Sequence, residues 1–328
     1  MGRAQGDLDA WTLAAFAGVV VVGGANFVAV KETVGELEPL YGAATRFGLA
    51  SLVFFAILAL TRTHLPRGLA LVGAALYGAL GFGTAYALMY FALVELTVGV
   101  AAVLMASVPV FTLLLAVVQR LEPMTLRGLA GGALAVSGIA VLSANSLGGD
   151  VPLRYLLAAI VAPVVVAEST IVAKRFPRTD PIATNAVGML VGAALLAIAS
   201  FVAGEAWVLP ETGNTWLAAA WLVLAGSVGL FWLFLVVVKR WTASASTFAI
   251  PLMPVVALAL AATLQGEGIG WPELAGGVLV IGAVYVGVLR RERERPELAP
   301  ADPGGCRGAE EEDDRARAPE AAPVPARS

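Results

Sequence analysis

Ten long apolar stretches dominate this sequence and limit the folds that it can adopt. They cover residues 11–30, 40–60, 69–92, 98–118, 126–142, 153–173, 181–202, 216–238, 243–264 and 271–289. A helix needs about 20 residues to cross the hydrocarbon core of a bilayer, which is about 30 Å thick. Runs such as 156–162 do not alternate between polar and apolar residues, as strands of a membrane β-barrel would. We therefore predict an all-α polytopic membrane protein with ten transmembrane helices.

The charged residues are few and are concentrated at one end of the chain. Of the 45 charged side chains, 18 fall in the last 39 residues, so the first 289 residues hold only 27. A soluble chain has about 25% charged residues, and the lipid bilayer is therefore the main predicted partner. The formal net charge of −3 gives no reason to expect a nucleic-acid partner. The single cysteine, Cys306, excludes an internal disulfide framework, and no metal site or cofactor is predicted.

Basic residues in the connections predict the orientation. If the N-terminus is cytoplasmic, fourteen Lys and Arg residues lie in cytoplasmic segments, and only Lys31 and Arg154 lie in external ones. Short loops rich in Lys and Arg are retained in the cytoplasm. We therefore predict a multi-pass protein of the plasma (cytoplasmic) membrane with both termini in the cytoplasm.

A repeat with a spacing of 145 residues relates the two halves of the chain. This shift aligns spans four and five with spans nine and ten without a gap, and it gives thirteen identities in the 46 positions of 97–142. Three of the matches are not explained by shared hydrophobicity: Pro109 with Pro254, Glu122 with Glu267, and the Gly-Gly pair at 131–132 with that at 276–277. We infer that the second half is a duplicate of the first.

An odd number of spans in each copy predicts that the copies are inverted relative to each other. With five spans, the second copy enters the membrane from the opposite side, and such pairs characterise secondary transporters that bind substrate at the repeat interface. The predicted organisation is a cytoplasmic N-terminus (1–10), repeat one (11–142), a linker (143–152), repeat two (153–289) and a disordered cytoplasmic tail (290–328).

Three features of the sequence resemble the EamA family of the drug/metabolite transporter superfamily. They are the segment GANFVAVK at 24–31, the pair Arg46-Phe47 in span two, and the Pro…Glu…Gly-Gly pattern in both repeats. The resemblance implies a ten-helix fold that moves small organic metabolites by alternating access. It also implies that spans one, three, four, six, eight and nine line a central cavity. Glu168 in span six departs from the commoner family pattern.

Glu168 is the candidate for ion coupling. A charge at the centre of a membrane helix costs about 2.5–3.5 kcal/mol and marks a functional site by default. Glu168 either couples transport to a proton or balances an amine on the substrate. The alternative is that it pairs with Lys174 or Arg175 near the interface.

One polar residue in the first helix of each repeat is a further candidate for the transport pathway. Matching Lys31 with Lys174 pairs Asn26 with Ser169, the residue after Glu168. The inverted geometry predicts that they lie near opposite mouths of one pathway, where they gate it or bind substrate. A simple interhelical hydrogen bond is the alternative.

Prolines and aromatic residues are the remaining candidates for the cavity wall. Pro109, Pro251 and Pro254 interrupt spans four and nine, and broken helices at matched positions of two repeats point to a transport site. Tyr86 and Trp232, on spans three and eight, are candidates for stacking on a flat substrate. Membership of an interfacial aromatic belt is their alternative role.

Arg46 has two predicted roles. It either is a structural anchor, with its guanidinium held by Glu36 or Glu38, or binds a substrate anion.

Export of a small organic metabolite, such as an amino acid or a drug-like compound, is the function that these features favour. Proton coupling is a further hypothesis, and a channel or a non-transporting membrane scaffold is the alternative function. An intramembrane enzyme is disfavoured, because the only histidine, His64, lies in a loop and no aspartate lies inside a span. The GxxxG motifs at Gly128 and Gly188 favour packing within the bundle, and a homodimer is their alternative use.

Overall fold

Membrane-length helices make up most of the part of the chain that the structure describes. This computed structural model describes residues 10–96, 98–142, 152–177, 179–265 and 270–289. The helices are α1 (Ala10–Val34), α2 (Pro39–Thr61), α3 (Leu69–Ala92), α4a (Val98–Met105), α4b (Val108–Val118), α5 (Leu126–Leu142), α6 (Leu153–Arg175), α7 (Pro181–Ala203), α8 (Gly213–Arg240), α9a (Ala243–Thr247), α9b (Ala249–Gln265) and α10 (Trp271–Val284). Most of the predicted linker, Glu267 and the predicted tail lie outside the described residues.

Eight helices are long and apolar enough to cross a membrane. They are α1, α2, α3, α6, α7, α8 and the regions Ala101–Val118 and Ala243–Leu260. Helices α5 and α10 belong to shorter apolar segments, Leu126–Val141 and Leu274–Gly287. The described residues contain no strand, so the fold is all-α as predicted, and eight of the ten predicted spans reach membrane length.

Helix ends follow local sequence signals. Pro39 and Pro181 lie in the first turns of α2 and α7, where the missing proline N–H leaves no helical hydrogen bond unmade. Gly204, with φ of 74°, ends α7 in the left-handed conformation that glycine adopts without steric cost. Arg62, with φ of 53°, ends α2 in the same way.

The start of α1 and the end of α6 meet at one end of the bundle, which we call the Lys174 end. Arg240, at the end of α8, donates from Nη1 to Thr12 Oγ1 over 3.3 Å. Lys174 Nζ donates to the carbonyl oxygen of Val238, also at the end of α8, over 2.8 Å. Because the beginning of α1 and the end of α6 contact the same helix end, α1 and α6 run in opposite directions.

The opposite end of the bundle, which we call the Lys31 end, is held together by two carboxylates. Glu205, after α7, accepts hydrogen bonds from the backbone N–H groups of Leu40 and Tyr41 over 3.1 and 2.7 Å. These N–H groups lie in the first turn of α2, where no helical carbonyl is available to them. Glu36 accepts from Thr212 Oγ1 over 2.6 Å, so the α1–α2 connection is joined to the α7–α8 connection.

Two π-helical turns interrupt α3 and α8 at corresponding positions. They span Ala79–Thr84 and Leu224–Gly229. Each has six residues, and the second begins 145 residues after the first, which is the spacing of the repeat found in spans four and five. π-Turns inside α-helices occur frequently at functional sites. The same spacing therefore relates the third helix of each copy as well.

The fourth and ninth membrane helices are broken, and their matched prolines take different positions. Ala106 and Ser107 separate α4a from α4b, and Phe248 separates α9a from α9b. Pro109 lies in the first turn of α4b, where proline is well tolerated. Pro254 lies inside α9b, where proline removes a helical hydrogen bond.

Glycines allow neighbouring helices of the bundle to approach closely. A Cβ atom on Gly78 of α3 would lie 2.0 Å from the carbonyl oxygen of Gly188 on α7. A Cβ on Gly192 would lie 2.3 Å from an α3 side chain, and one on Gly132 would lie 2.2 Å from Val110. The small-residue motifs of α5 and α7 therefore pack helices within one chain.

Candidate functional site

A cavity of about 360 Å³ lies among α1, α2, α3, α4a, α6, α8 and α9b. Pockets for small molecules in proteins have volumes of about 300–1,000 Å³. Its wall is mostly apolar, and helix α2 contributes Arg46 to it, in addition to the helices that the sequence resemblance implied. The polar side chains of the described wall are Asn26, Arg46, Tyr77, Tyr86, Tyr90, Ser169 and Thr170.

The cavity is displaced towards the Lys31 end. On α3, the lining begins at Tyr77, eight residues into the helix, and continues to Leu93, just beyond its end. Leu93 is at the Lys31 end, since the neighbouring Phe91 ring stacks on Tyr155 at the start of α6 with centroids 4.8 Å apart. Ala101–Ala106 supply lining residues, whereas no described residue of α4b does. Protein therefore separates the cavity from the Lys174 end.

Five of the eight residues predicted for the transport pathway line the cavity: Asn26, Tyr86, Ser169, Pro251 and Pro254. The other three, Pro109, Glu168 and Trp232, do not line it in this conformation. Glu168 and Trp232 are each adjacent in sequence to a lining residue, and one residue turns a helix by about 100°. Trp232 instead packs against a buried apolar cluster, and Pro109 is buried in α4b.

The two π-turns meet the two polar residues that the repeat pairs with each other. A Cβ on Gly226, in the π-turn of α8, would lie 2.2 Å from Asn26 Oδ1. A Cβ on Gly81, in the π-turn of α3, would lie 3.1 Å from Ser169 Oγ. Gly81 and Gly226 are 145 residues apart. The first helix of each copy therefore contacts the glycine of the other copy's π-turn, and Asn26 Nδ2 donates to Gly226 O over 3.1 Å.

Arg46 reaches across the cavity wall to the π-turn of α8. Its Nε donates to Ser227 Oγ over 2.7 Å, and its Nη2 donates to Gly226 O over 2.8 Å. The expectation that Glu36 or Glu38 holds the guanidinium is wrong, because Glu36 is occupied by Thr212 and neither carboxylate bonds Arg46. Helix α8, about 180 residues away in sequence, supplies the partners instead.

Aromatic rings form one wall of the cavity. The Phe82 and Phe231 rings, in α3 and α8, meet edge to face with centroids 4.7 Å apart. Tyr86 packs edge to face on Phe47, and Tyr90 lies 6.1 Å further along from Tyr86. Such pairs favour offset or perpendicular geometries because of the ring quadrupole. This wall gives the cavity an apolar surface next to phenol hydroxyls.

A hydrogen-bonded chain joins α4b to α6 at the Lys174 end. Gln119 Nε2 donates to both oxygens of Glu168, over 3.0 and 2.8 Å. Arg175 Nη1 donates to Gln119 Oε1 over 3.0 Å. Glu168 is therefore linked to Arg175 through an amide, which is an indirect version of the predicted pairing. We call Gln119, Glu168 and Arg175 the latch.

Two further contacts close the Lys174 end. Lys174 donates to the carbonyl oxygens of Val238 and Trp241, which are left without helical partners where α8 ends. Glu122 is buried and accepts from the backbone N–H of Ser244 over 3.2 Å and from its hydroxyl. Glu122 therefore caps the start of α9a, a helix of the other copy.

Three residues of the site, Gly226, Ser227 and Gln119, were not predicted from the sequence. None of them is charged or aromatic, so none stood out in an apolar span. Extending the 145-residue offset to spans three and eight would have paired Gly81 with Gly226. No comparable signal existed for Gln119, since the shifted position is Leu264.

Comparison with known proteins agrees with this architecture. The sequence matches the EamA-like transporter family over residues 10–144 and again over 153–289. A solved crystal structure superposes with a TM-score of 0.75 at 20% identity, covering 87% of this chain and 99% of that one. At this identity the likeness concerns the fold alone.

Several relatives are transporters by name. The inner membrane transporter YedA of Escherichia coli K12 is 28% identical over 269 residues, 81% of this chain and 87% of YedA. A probable amino-acid metabolite efflux pump of Salmonella typhimurium LT2 is 29% identical over 288 residues, 82% of this chain and 92% of that protein. A probable terminal-alkyne amino-acid exporter of Streptantibioticus cattleyicolor is 31% identical over 232 residues, covering 67% and 74%.

The apolar helices, the central cavity and these matches define a membrane transporter, a multi-pass protein of the plasma membrane. This chain belongs to the EamA-like transporter family, the family that its sequence resembles.

Proposed function

We propose that this protein exports a small amino-acid-like metabolite across the plasma membrane by alternating access. The observation that carries the proposal is the position of the cavity between helices of both repeats and towards the Lys31 end, while the latch joins α4b to α6 towards the Lys174 end. A carrier requires a central site that is accessible from one side at a time.

We further propose that the two copies span the membrane as inverted five-helix repeats. The opposite directions of α1 and α6, the first helices of the two copies, support this arrangement. Helix α5 has 17 residues, the lower limit for a span, and α10 has 14 residues followed by a π-turn of five. These two helices are then the fifth span of each copy.

The proposed orientation has both termini in the cytoplasm. The excess of Lys and Arg in the corresponding segments supports it. In this orientation the Lys174 end faces the cytoplasm, and the cavity lies nearer the external side. The conformation then corresponds to the state that releases an exported substrate.

Two kinds of evidence support the proposed substrate class: the names of the relatives and the residues of the cavity wall. Two relatives are named for amino-acid metabolite efflux and amino-acid export. A cavity of about 360 Å³ with an aromatic wall and a few polar groups suits a molecule of amino-acid size.

Counterflow in proteoliposomes tests the proposal. Metabolites are first screened by their effect on thermal unfolding of the purified protein, since a ligand that binds only the folded state raises its stability. The metabolites that stabilise it are then preloaded, and uptake of the labelled compound is measured. A carrier gives saturating flux and counterflow, a channel gives neither saturation at low concentration nor counterflow, and a scaffold gives no flux.

The coupling of transport to protons through Glu168 also belongs to this proposal. Both oxygens of Glu168 accept from Gln119, and a carboxylate accepts such bonds more strongly when it is ionised. Protonation of Glu168 then weakens the latch and favours opening of the Lys174 end.

A further inference from the structure

The cavity contains an arginine that no carboxylate balances. Arg46 is the only charged side chain among the described lining residues, and it forms no ion pair within the described part of the chain. Glu36 and Glu205, the two carboxylates that join connections at the Lys31 end, accept hydrogen bonds from other groups there. A charge at membrane depth is costly without a partner. The wall therefore has a formal positive charge that an anionic ligand would neutralise.

The guanidinium of Arg46 is held in place and still has donors to offer. Its bonds to Ser227 Oγ and Gly226 O use two of the five N–H groups of a guanidinium. The other three N–H groups have no partner among the described residues. Because the side chain is already ordered, a ligand gains its hydrogen bonds with little further loss of rotamer entropy.

An unsatisfied acceptor lies beside Arg46. Asn26 lines the cavity, is 9% exposed, and its Oδ1 is buried with no hydrogen-bond partner. Its Nδ2 bonds the same Gly226 carbonyl oxygen that Arg46 Nη2 bonds, so the two side chains are neighbours. A buried acceptor without a donor costs stability, and this cost is removed when a ligand N–H reaches it.

We propose that Arg46 binds the carboxylate of the transported metabolite and that Asn26 Oδ1 accepts a hydrogen bond from a neighbouring N–H of the same molecule. This inference rests on the proposed function and names the chemistry of its substrate: a small monocarboxylate with a nitrogen next to the acid and an apolar body. The body lies against the aromatic wall formed by Phe82, Tyr86 and Phe231.

A single positive charge selects a carboxylate over a phosphate. A carboxylate matches the planar fork of a guanidinium and neutralises one charge. A phosphate monoester has a charge of about −1.5 to −2 at pH 7, and no second cation lines the described wall to balance it.

Binding of four related compounds tests the proposal on the purified protein. They are phenylalanine, N-acetylphenylalanine, 3-phenylpropanoate and phenylalaninamide, with affinity measured by calorimetry. We expect the wild-type protein to prefer phenylalanine or its N-acetyl form over the amide by about tenfold or more, the value of a charged hydrogen bond. Arg46→Gln abolishes this preference. The matched control Arg154→Gln, at an exposed residue outside the cavity, preserves it.

Two further variants separate binding from structure. Ser227→Ala removes one hydrogen bond that orients Arg46, and we expect it to reduce the preference for acids by about threefold. This variant tests the site if Arg46→Gln does not fold. Asn26→Ala is expected to remove only the preference of the protein for phenylalanine and N-acetylphenylalanine over 3-phenylpropanoate, which has no nitrogen. If phenylalanine binds more tightly, the site prefers a charged ammonium group. If N-acetylphenylalanine binds more tightly, it prefers a neutral amide N–H.

Three results would overturn the inference. They are a preference for acids that survives Arg46→Gln, an equal loss of acid and amide binding, and a wild-type protein that binds none of the acids at millimolar concentration. If a metabolite shows counterflow that Arg46→Gln does not change, the proposed binding site is wrong, but the proposal of export stands. Carboxylate binding through Arg46 without vesicle flux leaves the site intact and refutes export.

Discussion

The two repeats share a frame but differ in charge. Both have a π-turn of the same length in their third helix, and in both the first helix contacts the π-turn glycine of the other copy. These contacts, Asn26 with Gly226 and Ser169 with Gly81, form a matched pair at the cavity. The π-turn glycine is therefore the same in both copies, and a polar residue of the other copy's first helix meets it in each case.

The charged residues of the site are not the same at equivalent positions of the two repeats. Pro39 and Pro181 begin the second helix of each copy, and seven residues later the first copy has Arg46 where the second has Gly188. The alignment that pairs Lys31 with Lys174 places Ala25 opposite Glu168. The first copy therefore supplies the cation of the cavity, and the second supplies the acid of the latch.

Residues that pack the helices together and charged residues proposed to act in transport are therefore different residues, and they can be changed independently. A symmetric frame gives two conformations of similar energy, one open at each end. Arg46 in the cavity and Glu168 in the latch have no charged equivalent in the other copy, so the Lys31 end and the Lys174 end of the bundle differ chemically.

The largest expected effect comes from the two matched glycines. Gly226→Ala places a Cβ within 2.2 Å of Asn26 Oδ1, whereas Gly81→Ala meets Ser169 Oγ at 3.1 Å. We expect the first change to reduce counterflow about tenfold or more, because it displaces Asn26 and the carbonyl that binds Arg46. The second is expected to cause a loss of about threefold or less.

Size-exclusion profiles of both glycine variants control for folding. Adding Asn26→Ala to Gly226→Ala removes the clash and is expected to restore stability without restoring transport. Equal losses in the two single variants would mean that the repeats are alike at this position.

Of the two matched lysines, only Lys174 is expected to keep the Lys174 end closed. Ala116, which is fully buried there, is replaced by cysteine in a Cys306→Ser background, and its reaction with a thiol reagent is measured. Lys174→Met removes the donors to Val238 and Trp241 and is expected to speed labelling about tenfold. Lys31→Met is the matched control, and we expect it to leave labelling unchanged or slower. Faster labelling with both changes contradicts a frame that closes one end at a time.

The latch is expected to have a moderate effect that depends on pH. A transporter that exchanges one proton gains about tenfold in accumulation for each unit of pH difference. Glu168→Gln is expected to abolish this dependence, since the side chain can no longer release a proton. Gln119→Leu removes the partner of Glu168 and is expected to alter the rate while keeping the pH dependence. An unchanged pH profile in Glu168→Gln would falsify proton coupling through this residue.

The smallest expected effect is at Glu36, which lies in a connection outside the membrane spans. The Thr212 hydroxyl, together with backbone N–H groups, lowers the pKa of Glu36 from 4.5 to about 2. A lowered pKa in the folded state stabilises the protein above pH 4.5, and the contribution is lost as the pH falls from 4.5 to about 2. Glu36→Gln is expected to lower the melting temperature by about 1 °C at pH 7, because exposed polar contacts contribute little.

The control for this small effect is Glu38→Gln, at an exposed neighbour with no capping bond. We expect the difference between wild type and Glu36→Gln to shrink at pH 3, as measured by thermal unfolding in detergent. A difference that grows at low pH would contradict the lowered pKa.

The sequence predicted the frame because the forces that form it act over short distances. The bilayer requires apolar runs of sufficient length, and these can be read directly from the chain. The offset of 145 residues was visible in spans four and five, and it also relates the π-turns. Five of the eight predicted pathway residues, among them Asn26 and Ser169, line the cavity.

The tertiary structure alone decided which side chains face the cavity and what they bond. Neighbours such as Glu168 and Ser169 differ by about 100° around a helix axis, and no periodic polar face distinguishes them in an apolar span. The sequence also suggested a nearby acid for Arg46, because proximity along the chain was the only guide. The bond to Ser227 joins residues 181 positions apart, and only the packing of α2 against α8 brings them together.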